Sequence, residues 1–127
     1  MFRRKWPESP PDARLDPYRR AAARVMDGDE QVGVLVIHVD TWRWTAGPFW
    51  RRRRGGPEEL PEWRLLYGAP EEHPHLDEWV ISAADIDKEL ADWAAGVLRL
   101  RGHRYGLAWL GAEEADAARR DVGWAVD

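Results

Sequence analysis

The sequence predicts a single-domain α+β protein, in which an antiparallel or mixed sheet of about four to five strands carries two to three helices packed mainly on one face. Three observations support this prediction. The chain has 127 residues, the size of one ordinary domain. Its composition, 44% hydrophobic and 33% charged, is typical of a globular protein. Finally, a run of strand-like segments in the middle of the chain lies between segments with helical periodicity.

The first 16 residues are rich in proline and charge, and we interpret them as an extended arm ahead of one domain at residues 17–127. A helix is predicted to follow, from Pro17 to Gly28. Asp16 occupies the position of an N-cap and Pro17 that of the first helical residue. Gly28 could end the helix in a left-handed conformation.

The strongest strand signal is at residues 32–39, which are β-branched and apolar on both faces. Such a strand is expected at the centre of the sheet, covered on both sides. Its alternation continues toward Trp44 and places His38, Asp40 and Trp42 on the same face. Further strands are predicted at Trp63–Tyr67, Trp79–Ser82 and Tyr105–Trp109, and one is expected to end in the basic tip Arg51–Arg54.

Two more helices complete the predicted order. Apolar residues spaced by three and four positions predict an amphipathic helix from Ile86 to Leu100 that ends at Gly102. Ser82 and Asp85 have the spacing of a capping box in front of it. After Gly111, acidic residues followed by basic ones predict a last helix whose charges complement its dipole.

Several classes of function lack the residues that they require. The chain has no cysteine, which excludes disulfides and thiolate chemistry, and it has no phosphate-binding glycine loop and no nucleophile motif. We therefore expect no cofactor and no catalytic residue, and we favour a protein that is not an enzyme. No apolar stretch approaches the roughly 18 residues of a membrane span, so a cytoplasmic location without membrane binding is expected.

His73, His75 and Asp77 form the one candidate metal site in the sequence. The stretch resembles the first part of the HxHxDH signature of the metallo-β-lactamase family, with Glu78 where that family has histidine. It also resembles part of a cupin motif, with Gly68 one position nearer than that family requires. Either resemblance would imply a metal-binding site, but each covers less than a dozen residues. Pro74 indicates a surface loop, so we interpret the stretch as an acidic loop and expect no metal.

Charge and tryptophan content favour a protein-interaction domain. Residues 1–64 hold 13 basic and 10 acidic side chains, whereas residues 65–127 hold 6 and 13. Tryptophan, of which there are nine, and arginine dominate interface hot spots, and segregated charge selects partners. We expect another protein as partner, such as a basic toxin inhibited by an immunity or antitoxin-type domain, or an adaptor role. The predicted partner-binding residues are Trp42, Trp44, Trp50, Arg51, Arg52, Glu71, Glu72, Asp77 and Glu78.

Two alternatives remain open from the sequence. A small enzyme or ligand-binding domain would place a pocket between the sheet and the long helix, near His38 and Asp40, where a carboxylate could orient the imidazole. A nucleic-acid-binding protein would use the segment Trp42–Arg54, in which arginines could neutralise phosphates and tryptophans stack on bases. The net charge of −4 makes nucleic acid the less expected partner.

Overall fold

The order of elements is known from a computed structural model, which describes residues 12–42, 45–46, 53–54, 58–68, 76–82 and 85–124. The helices are a 3-10 helix (Ala13–Tyr18), α1 (Ile86–Ala94) and α2 (Ala112–Asp121). The strands are β1 (Ala22–Asp27), β2 (Glu30–Trp42), β3 (Thr45–Ala46), β4 (Arg53–Arg54), β5 (Glu58–Tyr67), β6 (Leu76–Ile81), β7 (Val97–Leu100) and β8 (His103–Trp109). Residues 1–11 of the predicted arm lie outside the described residues.

Six strands form one sheet in the order β6-β5-β2-β1-β8-β7, and β3 pairs with β4 in a separate two-stranded ribbon. Every pairing described is antiparallel. The sheet curves into a half-barrel, and with its helices it makes a single small α+β domain. The predicted number of strands is too low, because β1 and β7 occupy segments for which the sequence predicts helices.

The predicted helix from Pro17 to Gly28 is wrong. The chain forms the 3-10 helix earlier, with Asp12 as its N-cap, and residues 22–27 form β1. Ala22 packs on one side of the sheet and Val25 on the other. A short apolar strand buried on both faces does not show the period-two alternation by which a half-buried strand is recognised. Gly28 does adopt a positive φ of 64°, but in the turn between β1 and β2.

The predicted helix Ile86–Leu100 is correct only in its first part. Asp85, rather than Ser82, caps α1 by accepting a hydrogen bond from the Lys88 N–H. The helix ends at Ala94, Gly96 turns the chain at φ 72°, and residues 97–100 become the edge strand β7. The pair Arg101-Gly102, both with positive φ, then makes the tight turn into β8.

The helices cover both faces of the sheet rather than mainly one. Alternation along β2 sends Leu35 and Ile37 to one face, where they pack with Leu15 of the 3-10 helix and with Leu90 and Trp93 of α1. This side is called the α1 face below. Val34 and Val36 point to the opposite side, the α2 face, and pack there against Ala115 and Ala118. The prediction of a central strand covered on both sides is thus confirmed.

Candidate functional site

The α2 face carries a cluster of charged and aromatic side chains near one end of the sheet. Strand register determines its membership: His38 of β2 lies opposite Glu62 of β5, and Arg64 of β5 lies opposite Trp79 of β6. Because these residues share the pleat of Val34 and Val36, their side chains belong to the face that α2 covers. α2 and the residues that follow it add Arg119 and Trp124 to the cluster.

Trp79 is the most exposed large hydrophobic side chain among the described residues, at 53%. It is nevertheless held in place on its polar side. Its indole Nε1 donates a hydrogen bond of 2.8 Å to Oε1 of Glu62, a residue that is itself 5% exposed. The Arg64 guanidinium lies 5.8 Å from the Trp79 ring centroid. An exposed indole fixed in this way loses little conformational entropy when it is buried by a partner.

Arg64 joins Trp79 to a second tryptophan. Its guanidinium carbon is 4.9 Å from the ring centroid of Trp124, and Nη1 donates to the Val122 carbonyl over 3.3 Å. On its other side, Trp124 lies 5.8 Å from the guanidinium of Arg119. Each contact is within the range in which a cation is attracted to an aromatic ring. We call the series Trp79, Arg64, Trp124 and Arg119 the Arg–Trp ladder.

His38 lies against the inner end of the Arg–Trp ladder. Its ring stacks on Trp124 with a centroid distance of 5.2 Å, and Nδ1 is 3.2 Å from Nη2 of Arg119. Since arginine can only donate, Nδ1 must accept, which leaves the proton of the neutral imidazole on Nε2. Burial lowers the pKa of His38, Arg119 and Arg64 lower it further, and Asp40 and Glu62 oppose them. The arrangement therefore favours a neutral histidine that supports the fold beneath the ladder.

The position of His38 bears on the predicted pocket. The hypothesis of a small enzyme or ligand-binding domain places His38 and Asp40 near a pocket between the sheet and the helix predicted at Ile86–Leu100. The structure places His38 on the α2 face, whereas α1 packs on the other side of the sheet. Successive residues of a strand point to opposite faces, so Ile37 faces α1 and His38 faces α2. His38 therefore does not line a cleft against α1.

The predicted partner-binding residues fall almost entirely outside what the structure describes. This applies to Trp44, Trp50, Arg51, Arg52, Glu71 and Glu72, and to the histidines of the candidate metal stretch. Trp42, Asp77 and Glu78 are strand residues for which the structure describes the backbone position alone. The sequence does not predict that Arg64 and Trp79 form a pair. Their apolar strand context was visible, but the contact with Trp124 depends on a register that the sequence does not show.

Some acidic side chains of residues 65–127, the acidic half of the sequence, form ion pairs within the chain. Asp87 of α1 forms an ion pair with Arg14, and Asp92 of α1 lies 3.4 Å from Nε of Arg99. A further ion pair in the basic half of the chain, from Arg19 to Glu59, ties the end of the 3-10 helix to β5 over 2.6 Å. Of these three pairs, only Arg14–Asp87 joins the basic half of the sequence to the acidic half and so reduces the segregation of charge between them.

Within the described part of the chain, no three histidine or carboxylate side chains come together as metal ligands would. Over the same residues, no helix has both the length and the apolar character needed to cross a membrane. No protein-family model, curated protein or solved structure matches the chain.

Proposed function

We propose that this chain is a non-enzymatic protein-interaction domain that binds its partner through the outer edge of β6. One observation carries the proposal: Trp79 is 53% exposed on an edge strand and yet held in place through Glu62. Tryptophan and arginine are the residue types most enriched in interface hot spots, and they contribute most where a partner excludes water from them. Trp79 and Arg64 supply both types side by side.

The edge position adds a second feature that favours a protein partner. Among the described strands, β6 pairs only with β5, so the backbone groups on its other side have no strand partner there. An extended segment of another protein can add to such an edge through main-chain hydrogen bonds. Trp79 would then be covered by the same partner, which would bury both the indole and the side chain of Arg64.

The residues beside Trp79 in the sequence favour a basic partner. Asp77 and Glu78 precede it in β6, and Glu62 lies behind its indole nitrogen. Two successive carboxylates in the sequence before Trp79 suit a basic partner, because opposite charge speeds encounter and excludes acidic competitors. An immunity or antitoxin-type inhibitor of a basic toxin is one form of such a domain, and an adaptor is another. Nucleic acid is the competing partner, through Trp42–Arg54.

The test compares two exposed tryptophans on opposite faces of the sheet. The bait proteins are the wild type, Trp79→Ala and Trp109→Ala. Trp109→Ala is the matched control, because Trp109 is also exposed, at 39%, but lies on the α1 face. Each bait is incubated with nuclease-treated lysate of the native host at moderate salt, and the captured protein is purified and titrated. Loss of a hot-spot tryptophan is expected to weaken binding about 30-fold or more.

The proposal predicts a stoichiometric protein that binds the wild type and Trp109→Ala equally and Trp79→Ala far more weakly, with all three baits equally folded by circular dichroism. Equal binding by Trp79→Ala would show that the β6 edge is not the interface. Capture from an untreated portion of the same lysate that is absent from the nuclease-treated portion would replace the proposal with the nucleic-acid alternative.

A further inference from the structure

The Glu62 carboxylate is shared between the interior of the α2 face and the exposed Trp79. In the register of β2 with β5, Glu62 lies directly opposite His38. The Cβ atoms of such cross-strand pairs are about 4.5–5.5 Å apart. The same carboxylate accepts the indole hydrogen bond of Trp79 through Oε1 over 2.8 Å. A buried carboxylate is therefore the neighbour of both a histidine and the tryptophan of the proposed interface.

Neutral His38 is paired with Arg119. Its Nδ1 accepts a hydrogen bond from Nη2 of Arg119 over 3.2 Å, and its ring stacks on Trp124. Arg119 is buried, and its Nη1 also donates to the Ile37 carbonyl over 3.0 Å, so the guanidinium is held in position from a second side. The hydrogen bond to Nδ1 requires a free lone pair on that nitrogen. A protonated imidazole does not have one, because both of its nitrogens are donors.

Protonation of His38 therefore cannot preserve its contact with Arg119. The imidazolium and the guanidinium would be two cations, both with donors only, at an Nδ1 to Nη2 distance of 3.2 Å. The charged groups that act on the ring are two cations and two carboxylates: Arg119 of α2, Arg64 and Glu62 of β5, and Asp40 of its own strand. Of the carboxylates, Asp40 is exposed and Glu62 is buried, so an ion pair with Glu62 is less screened by water. We expect the imidazolium to exchange Arg119 for Glu62.

We propose that His38 is a pH-sensitive switch for Trp79, in which the protonated imidazole takes the Glu62 carboxylate as its acceptor and so releases the indole. Burial lowers the pKa of His38 below its ordinary value of 6.5, so the imidazole is neutral and Trp79 is held in place at pH 7. The consequence for binding rests on the proposed function. In acid, a partner must order an indole that is no longer held, and a basic partner also meets an additional positive charge.

The switch is tested on the full chain without a partner. The indole N–H of Trp79 and the ring of His38 are followed by NMR from about pH 7.5 to about pH 5, a range that covers histidine and lies above ordinary carboxyl groups. Trp79→Phe identifies the indole signal, and circular dichroism checks that the chain stays folded. The Trp79 signal is expected to change with the midpoint of the His38 titration, and to move upfield as the hydrogen bond to the carboxylate is lost.

The matched variants are His38→Gln and His103→Gln. His103 is an exposed histidine of β8, and its Nε2 lies 3.3 Å from the carboxylate of Asp27. His103→Gln should keep the transition of the Trp79 signal, and His38→Gln should lose it. A wild-type Trp79 signal that does not follow His38 would overturn the proposal without any variant, as would a His38 ring that stays neutral throughout. The same transition in His38→Gln would overturn it too.

The effect on binding is measured separately, with the protein captured by the wild-type bait. Its affinity for the wild type should fall about two- to tenfold between pH 7 and the pH at which NMR shows His38 to be protonated. His38→Gln should remove this difference, and His103→Gln should retain it. Equal loss of affinity in His38→Gln would show that the switch does not control binding. If no protein is captured, the β6 interface fails, while the NMR titration still decides the link between His38 and Trp79.

Discussion

Arg119 of α2 donates a hydrogen bond of 3.0 Å from Nη1 to the backbone carbonyl of Ile37 in β2. The Ile37 carbonyl needs this donor because the strand pairing is interrupted at the start of β1. The Ile37 N–H donates to the Ala21 carbonyl, but the Ala21 N–H is bonded to Tyr18 at the end of the 3-10 helix. The Ile37 carbonyl thus receives no donor from that neighbour, and Arg119, which is 3% exposed, provides one. The same guanidinium fixes the tautomer of His38 and the inner end of the Arg–Trp ladder.

Replacement of Arg119 by methionine is expected to destabilise the protein. The substitution keeps an apolar stem of similar length but leaves the buried Ile37 carbonyl without its donor, which should cost about 2 kcal/mol in the free energy of unfolding. Arg120→Met is the matched control, because Arg120 is the next residue and is exposed. It should change stability by less than about 0.5 kcal/mol. Urea denaturation monitored by circular dichroism measures both, and equal stabilities would contradict the role assigned to Arg119.

Gly33 is expected to tolerate no side chain. A Cβ added at this position would lie 2.4 Å from the backbone carbonyl oxygen of Leu66 on the neighbouring strand β5. Because the obstacle is backbone in the centre of the sheet, the strands must separate, and Gly33→Ala should cost about 1–3 kcal/mol. Gly106→Ala in β8 is the control, since its nearest neighbour would be Met26 at 3.8 Å.

For Gly106→Ala we expect unchanged stability or a gain of up to about 1 kcal/mol, since glycine is unfavourable inside a strand. The two variants are compared by thermal and urea denaturation. If Gly33→Ala were as stable as Gly106→Ala, the result would contradict the close approach of β2 to β5 at Gly33.

His38 should make stability depend on pH in a defined direction. Its pKa in the folded protein lies below the ordinary value of 6.5, because burial, Arg119 and Arg64 outweigh Asp40 and Glu62. Between the folded pKa and 6.5 the unfolded chain therefore binds more protons than the folded one, and stability falls as the pH decreases through this window. Above it the imidazole is neutral in both states and contributes no pH dependence.

The measurement is the difference in unfolding free energy between the wild type and His38→Gln as a function of pH. The unfolding free energy of the wild type minus that of His38→Gln should be constant above pH 7 and should decrease as the pH falls below about 6.5. An NMR titration of the His38 ring provides the direct check. A midpoint at or above 6.5 would be inconsistent with the burial and the Arg119 contact.

Most strands of the sheet are predictable from the sequence, and two of them are not. The segments 32–39, 63–67 and 105–109 are strands, as predicted. Residues 22–27 and 97–100 are strands that were predicted as helix. Both are short, and in a short apolar segment the helical and strand periods fit nearly equally well. Gly96 was the signal for the second boundary, and its positive φ shows that the chain turns there.

The candidate site is harder to predict from the sequence than the fold. Trp79 and Arg64 are 15 positions apart in the chain and become neighbours only through the register of β5 with β6. Trp124 reaches Arg64 because α2 packs across the face to which Arg64 points. The sequence predicts tryptophan and arginine as contact residues. It places most of them in the segment Trp42–Arg54, which lies largely outside the described residues.

The sequence by itself determined the size of the domain, its α+β class, the central strand and the absence of cysteine chemistry, because composition and period-two alternation are local properties. Only the tertiary structure decided which side chains meet. It placed α1 and α2 on opposite faces, directed His38 to Arg119 rather than to a cleft, and brought Glu62 next to both His38 and Trp79. These outcomes depend on strand order, register and curvature, which arise from packing between segments far apart in the chain.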